Sequence, residues 1–265
     1  LFSAYWKLAE IAFKRQIVYR AANLAGMATN ICWGFFRIYL LLAVLGSGKE
    51  IGGLDHDGII IYAGFTQAII APLKIYGGWD LLRAIKSGEA ISDFCKPIDF
   101  YSMWYARDCG QAAYQLIARG LPIMLLFLVV FKIQLKLSAL KGLAFLISMS
   151  MALNISFSWR MIYNAIGFWV LDARGIAIMA NAISEFLMGF TIPVSLFPEW
   201  LQQVVSLTPF SAILDIPLAI LLDRPAGTEE VFLLLGRQLF WTIAMFITAR
   251  LILRAGAKKV VIQGG

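Results

Sequence analysis

A single histidine, three cysteines and 15% charged residues in a chain of 265 leave little material for catalysis. His56 has no partner at metal-ligand spacing, and there is no CxxC or Cys/His pattern, so a zinc centre is excluded. Cys32 lies in an apolar run, while Cys95 and Cys109 fall in segments read below as cytoplasmic, where reducing conditions disfavour disulfides. A membrane-embedded protease or acyltransferase needs His, Ser and acid groups gathered at one depth, and this inventory does not supply them. A nucleotide-binding loop is also missing. GSGKE at Gly46 to Glu50 ends like one, but Ala43 stands at the upstream glycine position and Glu50 where Ser or Thr should follow Lys49. The strand before and helix after such a loop are absent as well. No basic face with interleaved stacking aromatics is present, which argues against a nucleic-acid partner. The first residues lack an initiator Met and a signal-peptide pattern, which reads as a trimmed or processed chain.

Apolar residues fill the space that charge leaves. They make up 60% of the chain, against about 45 to 50% in soluble domains, and the mean hydropathy is +0.77. This is the composition of an integral, all-α membrane protein. Runs long enough to cross a bilayer core, about 20 residues each, are read at 24–45, 58–77, 111–131, 142–168, 176–196 and 232–253. The expectation is therefore one transmembrane domain over 1–265 with six spans. With both termini inside, thirteen Lys and Arg are cytoplasmic: Lys7, Lys14, Arg15, Arg20, Arg83, Lys86, Lys96, Arg107, Arg160, Arg174, Arg254, Lys258 and Lys259. Five, Lys49, Lys132, Lys136, Lys141 and Arg224, fall outside. The bias favours termini on the inner side, with the basic KIQLKLSALK loop as a local exception. The net charge of +7 thus reflects topology.

Three segments depart from plain spans. Residues 1–22 carry Lys7, Glu10 and Lys14 beside Trp6, Ile11 and Phe13, the spacing of a helix lying in the membrane interface; the alternative is a simple extension of the first span. Residues 79–107 are the longest hydrophilic stretch. They read as two short cytoplasmic helices separated by Gly88, with an apolar face of Leu81, Leu82, Ile85, Ile91 and Phe94 that docks either on the protein's own spans or on a soluble partner. The run from Glu185 to Leu222 is apolar but interrupted by Pro193, Pro198, Pro209 and Pro217, so it cannot be one straight helix. It reads as a span ending near Pro193 to Pro198, followed by a re-entrant segment over 198–222.

Among the charges inside the expected spans are Arg37, Arg119, Glu185 and Arg237, each costing about 2.5 to 3.5 kcal/mol on insertion scales. At 1.5 Å per residue, Arg119 lies roughly 12 Å, Glu185 roughly 14 Å and Arg37 roughly 18 Å from the inner helix ends. The expectation is a Glu185–Arg119 pair, with Arg37 as the second choice. Lys74 lies near an inner end and is expected to snorkel without a partner.

IKSGEAISDFCKPIDFY, from Ile85 to Tyr101, and FLMGFTIPVSLFPEWLQQVVSLTPFSAILDIPLAI, from Phe186 to Ile220, resemble the cytoplasmic and post-fifth-span signatures of ABC-2 type permeases. Met188-Gly189 and Cys95 depart from the pattern, where Ser-Gly and Leu are frequent. The resemblance implies a type V exporter-like fold and a multi-pass subunit of a bacterial plasma (inner) membrane exporter. That subunit would pair with a second permease chain, identical or paralogous, and with two copies of an ABC ATP-binding subunit carrying ATP and Mg. On this reading the chain is not an enzyme and has no catalytic, cofactor or metal site of its own. Leu82, Ile85, Lys86, Glu89, Ile91 and Phe94 would couple to the ATPase. Pro193, Pro198, Trp200, Pro209, Phe210 and Pro217 would form a re-entrant gate. The cargo is expected to be amphipathic, lipid-like or drug-like. A membrane anchor that recruits the ATPase without transporting would show the same features.

Overall fold

The computed structural model describes residues 2–135, 138–170, 172–224 and 227–259. Regular structure among them is helical, apart from one isolated bridge between Ile51 and Leu54. In chain order the helices are α1 (Phe2–Ile17), α2 (Arg20–Leu45), α3 (His56–Ile69), α4 (Asp80–Ser87), α5 (Glu89–Phe94), α6 (Phe100–Gln115), α7 (Leu121–Val130), α8 (Ala139–Ala165), α9 (Arg174–Leu187), α10 (Glu199–Ser206), α11 (Asp215–Leu221) and α12 (Thr228–Ala257). A π turn at Leu116–Gly120 joins α6 to α7, and a 3₁₀ turn at Ile166–Phe168 extends α8.

Four of these stretches are long and apolar enough to cross a membrane: Arg20–Leu45, Phe100–Val130, Ala139–Phe168 and Thr228–Ala257. They expose Trp33, Phe36, Leu125, Val129, Leu146, Phe240 and Ile247 on their outer faces. Water would not tolerate so much uncovered apolar surface, whereas lipid solvates it. The protein is thus an all-helical membrane protein with four candidate spans.

The expected segments 58–77 and 176–196 take a different form. Each is represented by a helix of only 14 residues, α3 and α9, about 21 Å long against a hydrocarbon core of about 30 Å. Local chemistry stops both. Just past α3 comes Pro72, which disfavours helical geometry in the residue before it; Lys74, Gly77 and Gly78 then take positive φ. After α9, Gly189 sits at φ +77°, and an added Cβ would approach Val194 Cγ2 to 2.6 Å. Buried from Gly58 to Ile69, α3 is the central helix of the bundle, as expected for one apolar all round.

Close backbone approaches set the packing. α1 lies along α6, where a Cβ on Gly110 would stand 2.0 Å from the Ala9 carbonyl oxygen, and Phe13 meets Tyr114 edge-on. Gly34 of α2 leaves room for the Phe127 ring. α8 and α12 are joined by Gln238, whose amide donates to the carbonyls of Ser148 at 2.9 Å and Ala212 at 2.8 Å. One buried cluster surrounds α3 and α11. A second, with Leu81, Tyr101, Phe157, Met161 and Leu253, lies beneath α4. Lys141 pairs with Asp223 across the ends of α8 and α11; Lys136 falls outside the described residues.

Candidate coupling region and translocation cleft

α4 buries Leu81 and Ala84 and leans Leu82 and Ile85 on Gly167, where a Cβ would come within 2.6 Å of Leu82 Cδ1. In α5, Phe94 stacks on Phe100 at 4.1 Å and tilts against Phe168 at 5.9 Å, and Ile91 is half-buried. The apolar face of this helix pair is therefore spent on the protein's own bundle, at about 1.5 to 3 kcal/mol for each fully buried large side chain. What α4, α5 and the residues just after them expose is mostly polar: Arg83, Lys86, Ser87, Glu89, Ser92 and Lys96, beside Cys95 and Pro97.

Beneath α4 lies an ion network that the sequence reading missed. Arg160 donates to both carboxylate oxygens of Asp108, at 2.9 and 2.7 Å, and both side chains are 4% exposed. Lys74, expected to stand alone, reaches Asp108 and Asp80 at 3.0 Å each. Asp80 also accepts from Arg83. Burial alone would raise the Asp80 carboxyl, but Lys74 and Arg83 outweigh it and hold it below the usual carboxylate range. Tyr163 and Asn164 donate to the carbonyls of Gly77 and Gly78. Gly78 has φ +74°, and a Cβ there would stand 2.5 Å from Arg160 Cδ. The segment entering α4 is thus fastened to α6 and α8 by charge as well as by packing. A second knot ties α5 to α6, where Asp93 accepts from Lys96 and from Arg107 at 3.1 Å. Asp99 caps α6 through Ser102 and binds Arg250 of α12. The sequence offers only a weak sign of this pair: Asp108 and Arg160 each lie eight residues from one end of a long apolar stretch, Phe100–Val130 and Ala139–Phe168.

The intramembrane charges are arranged otherwise than expected. Arg37 donates to the Phe190 carbonyl at 2.7 Å and to Thr66 Oγ1 at 3.1 Å, with its guanidinium 4.8 Å above the Phe190 ring. Tyr62 donates to the carbonyls of Gly189 and Phe190 at 2.8 and 3.1 Å. Glu185 takes the amide of Asn181 at 2.6 Å, and Asn181 also donates to the Ile75 carbonyl. Among the described residues no ion pair joins Glu185 to Arg119 or Arg37, because α9 turns Glu185 toward its own preceding turn. The Asn30 amide, with its oxygen toward Arg119, accepts from Nη2 at 3.2 Å and donates to the Gly26 carbonyl. Arg237 is half-buried in α12 with its Nε unpartnered.

In the proline-broken run, Pro193 is buried, Pro198 precedes α10 and Trp200 is exposed on it. Pro209 is half-buried, and Phe210 packs edge-on against Trp159 at 5.1 Å. Pro217 sits in the first turn of α11, where its missing N–H has no acceptor to lose. α11 packs against α8, so this run returns into the bundle.

Between α1, α4, α5, α6 and α8 opens a cleft of about 1130 Å³, walled by Arg15, Lys74, Asp80, Trp104, Arg107, Asp108 and Arg160. A smaller chamber of about 360 Å³ continues from it through shared walls at Gln16, Lys74, Tyr76 and Gln111, and ends at Asn30 and Arg119. The arrangement offers a polar recess that reaches into the helical bundle, with one wall formed by the segment from which α4 springs. No group of three or more metal-ligating side chains occurs among the described residues.

Comparison with curated proteins finds no match. Comparison with family models matches residues 31–264 to the ABC-2 family transporter protein. That match takes in the central helix α3, the fastened α4–α5 pair, the proline-broken return and all but the first turns of the leading span. The chain belongs to the ABC-2 family of membrane transporter proteins, as a permease component.

Proposed function

We propose that this chain is the permease subunit of an ATP-driven exporter. It would pair with a second permease chain around the path and sit on two ATP-binding subunits in a bacterial inner membrane, with both termini cytoplasmic and α3 and α9 completing six crossings. The observation that carries this reading is the joint between α4 and the cleft. Asp80, on the helix nearest the expected partner, shares Lys74 with Asp108 in the cleft wall. A movement imposed on α4 therefore acts directly on α6 and α8. Closure of the ATP-binding pair would shift the bundles as nearly rigid bodies.

The coupling surface on this reading is the exposed set Arg83, Lys86, Glu89, Ser92 and Lys96, with Leu82, Ile85, Ile91 and Phe94 holding that surface in place from below. Pro193 to Pro217 would cap the path on the outer side. The test is ATP-dependent movement of an amphipathic probe in vesicles that hold the purified chain with its ATP-binding subunit. Movement that stops on removal of ATP supports the exporter. Tight association without movement, for any of a panel of amphiphiles, would leave the protein as an anchor.

A further inference from the structure

The smaller chamber is chemically one-sided. Its lining includes Arg119 and Lys74 but no acid, and its other polar groups are the amides of Gln16, Asn30, Gln111 and Gln115 and the Tyr76 hydroxyl. Lys74 is already committed to Asp80 and Asp108. Arg119 has no carboxylate within 4.0 Å among the described residues; its one partner is the neutral amide of Asn30, and its Nε is buried without a partner. Arg119 is half-buried, and its guanidinium presents several donors in a planar fork, which matches the paired oxygens of a carboxylate or phosphate.

The backbone beneath Arg119 is unusual for an independent reason. Leu116–Gly120 is a π turn, closed by the Leu121 N–H on the Leu116 carbonyl. Pro122 follows at once; it cannot donate, and its ring pushes on the carbonyl four residues earlier, which disrupts the α-helical ladder there. Turns of this kind recur at functional sites. Here the turn bears Arg119 into the chamber, while Leu116 and Ile117 on the same turn remain exposed.

We propose that the chamber takes the anionic head, phosphate or carboxylate, of an amphipathic cargo, with Arg119 as its charge partner. Of the chamber's lining only Ile70 and Ala71 are aliphatic, which suits a polar head group, so the tail stays on the apolar helix faces outside. Cargo would arrive through the larger cleft, whose shared wall brings it past the joint that holds α4. This assignment deepens the permease reading by naming a class of cargo, but the binding event itself needs no ATP-binding subunit.

The experiment measures binding of dodecyl phosphate to the chain in phosphatidylcholine nanodiscs, beside dodecyltrimethylammonium and inorganic phosphate. Saturable binding of dodecyl phosphate is expected, at least tenfold tighter than that of the cationic amphiphile. Arg119→Gln should lose at least tenfold and Arg119→Lys should recover part of that loss. Inorganic phosphate should compete only weakly, because it lacks the tail. Equal binding of the two amphiphiles by the unsubstituted chain overturns the proposal even if the variants fail to fold, as does undiminished binding by a folded R119Q. Competition by inorganic phosphate equal to that by dodecyl phosphate overturns the amphiphile assignment. Selective binding without ATP-dependent movement in vesicles would count against export and leave the site standing.

Discussion

Arg37 and Phe190 lie 153 residues apart, and the guanidinium of the first donates to the carbonyl of the second at 2.7 Å. Within a hydrocarbon core a freed backbone carbonyl has no water to turn to, so a helix that ends there needs a donor brought from elsewhere. α9 ends at Leu187, and just past it the carbonyl of Gly189 is taken by Tyr62 from α3 and that of Phe190 by Arg37 from α2 and Tyr62. The positive charge also lies at the negative end of α9, a favourable placement. The proline-broken return therefore rests on two side chains from the first half of the sequence. Replacing Arg37 by Met should destabilise the fold by about 1 to 3 kcal/mol, the range for a buried acceptor left short of a charged donor. Tyr62→Phe should cost less, since it removes a neutral donor where Arg37 is a charged one. Thermal unfolding in mild detergent checks both; an R37M protein as stable as the parent would refute this account of the turn.

The Asp108–Arg160 pair makes a different prediction. With both side chains 4% exposed, loss of Asp108 strands the buried Arg160 guanidinium, at a cost of about 3 to 5 kcal/mol, whereas loss of Arg160 leaves Asp108 with Lys74. Asp108→Asn should therefore destabilise the protein more than Arg160→Gln, and Arg160→Gln should also free Gly78 and the start of α4. The double variant D108N/R160Q should lose less than the sum of the two, because neither charge is then left alone. Additive losses in a denaturation cycle would mean that the two groups act independently.

α1 is held by shape. An added Cβ at Gly110 would lie 2.0 Å from the Ala9 carbonyl oxygen, a backbone atom that a side-chain rotation cannot move aside. Gly110→Ala should push α1 off α6, at a cost of 1 kcal/mol or more, with about 3 kcal/mol as the common upper range for overpacking. Amide hydrogen exchange in α1 should speed up while α8 and α12 are unaffected. Unchanged protection of α1 would show that the approach relaxes without loss.

Acid should loosen α4 in a defined direction. Burial works against ionisation of Asp80, yet Lys74 and Arg83 prevail and leave its carboxyl below the usual range. A folded value below the unfolded one means that the stabilisation is complete above the unfolded value and disappears as pH falls through the folded one. Glu10 follows the same sign. It is held by Lys14 and Lys7 at about 2, so its contribution to α1 is full above the ordinary glutamate range and is lost toward pH 2. Protection of α4 amides should be flat near neutrality and fall below about pH 4, and Asp80→Asn should show reduced protection without that fall. A decline centred near neutrality would implicate another group.

How much of this is legible in the sequence depends on how local the cause is. The four long spans follow from composition and length alone, and the interruption at Pro193 to Pro217 follows from proline's missing donor. The early ends of α3 and α9 are harder, because Pro72 and Gly189 lie within apolar runs whose hydropathy does not change there. Charge pairing is not legible at all from depth alone. Arg37, Arg119 and Glu185 lie at similar heights, yet which of them meet depends on how helices face one another. Glu185 settles on Asn181, four residues back, while Asp108 finds Arg160, 52 residues away. The apolar face of α4 and α5 is visible as a pattern, but a pattern cannot say whether its own bundle or another protein covers it.

That last ambiguity separates two sets of substitutions. If Leu82, Ile85 and Phe94 support α4 and α5 from below, as their contacts with Gly167 and Phe100 indicate, replacing them by Ala should lower the melting temperature of the isolated chain. Association with an ATP-binding subunit would then fall only as a consequence of unfolding. Lys86→Glu with Glu89→Lys, both exposed, should leave melting unchanged within about 0.5 kcal/mol but weaken copurification several-fold, more at low salt than at high. The two readouts must part company in this way for the exposed polar face to be the coupling surface. If L82A and I85A weakened copurification with no change in melting, while the charge swap had no effect, the partner would be reaching the apolar face after all, and α4 would have to lift from the bundle to meet it.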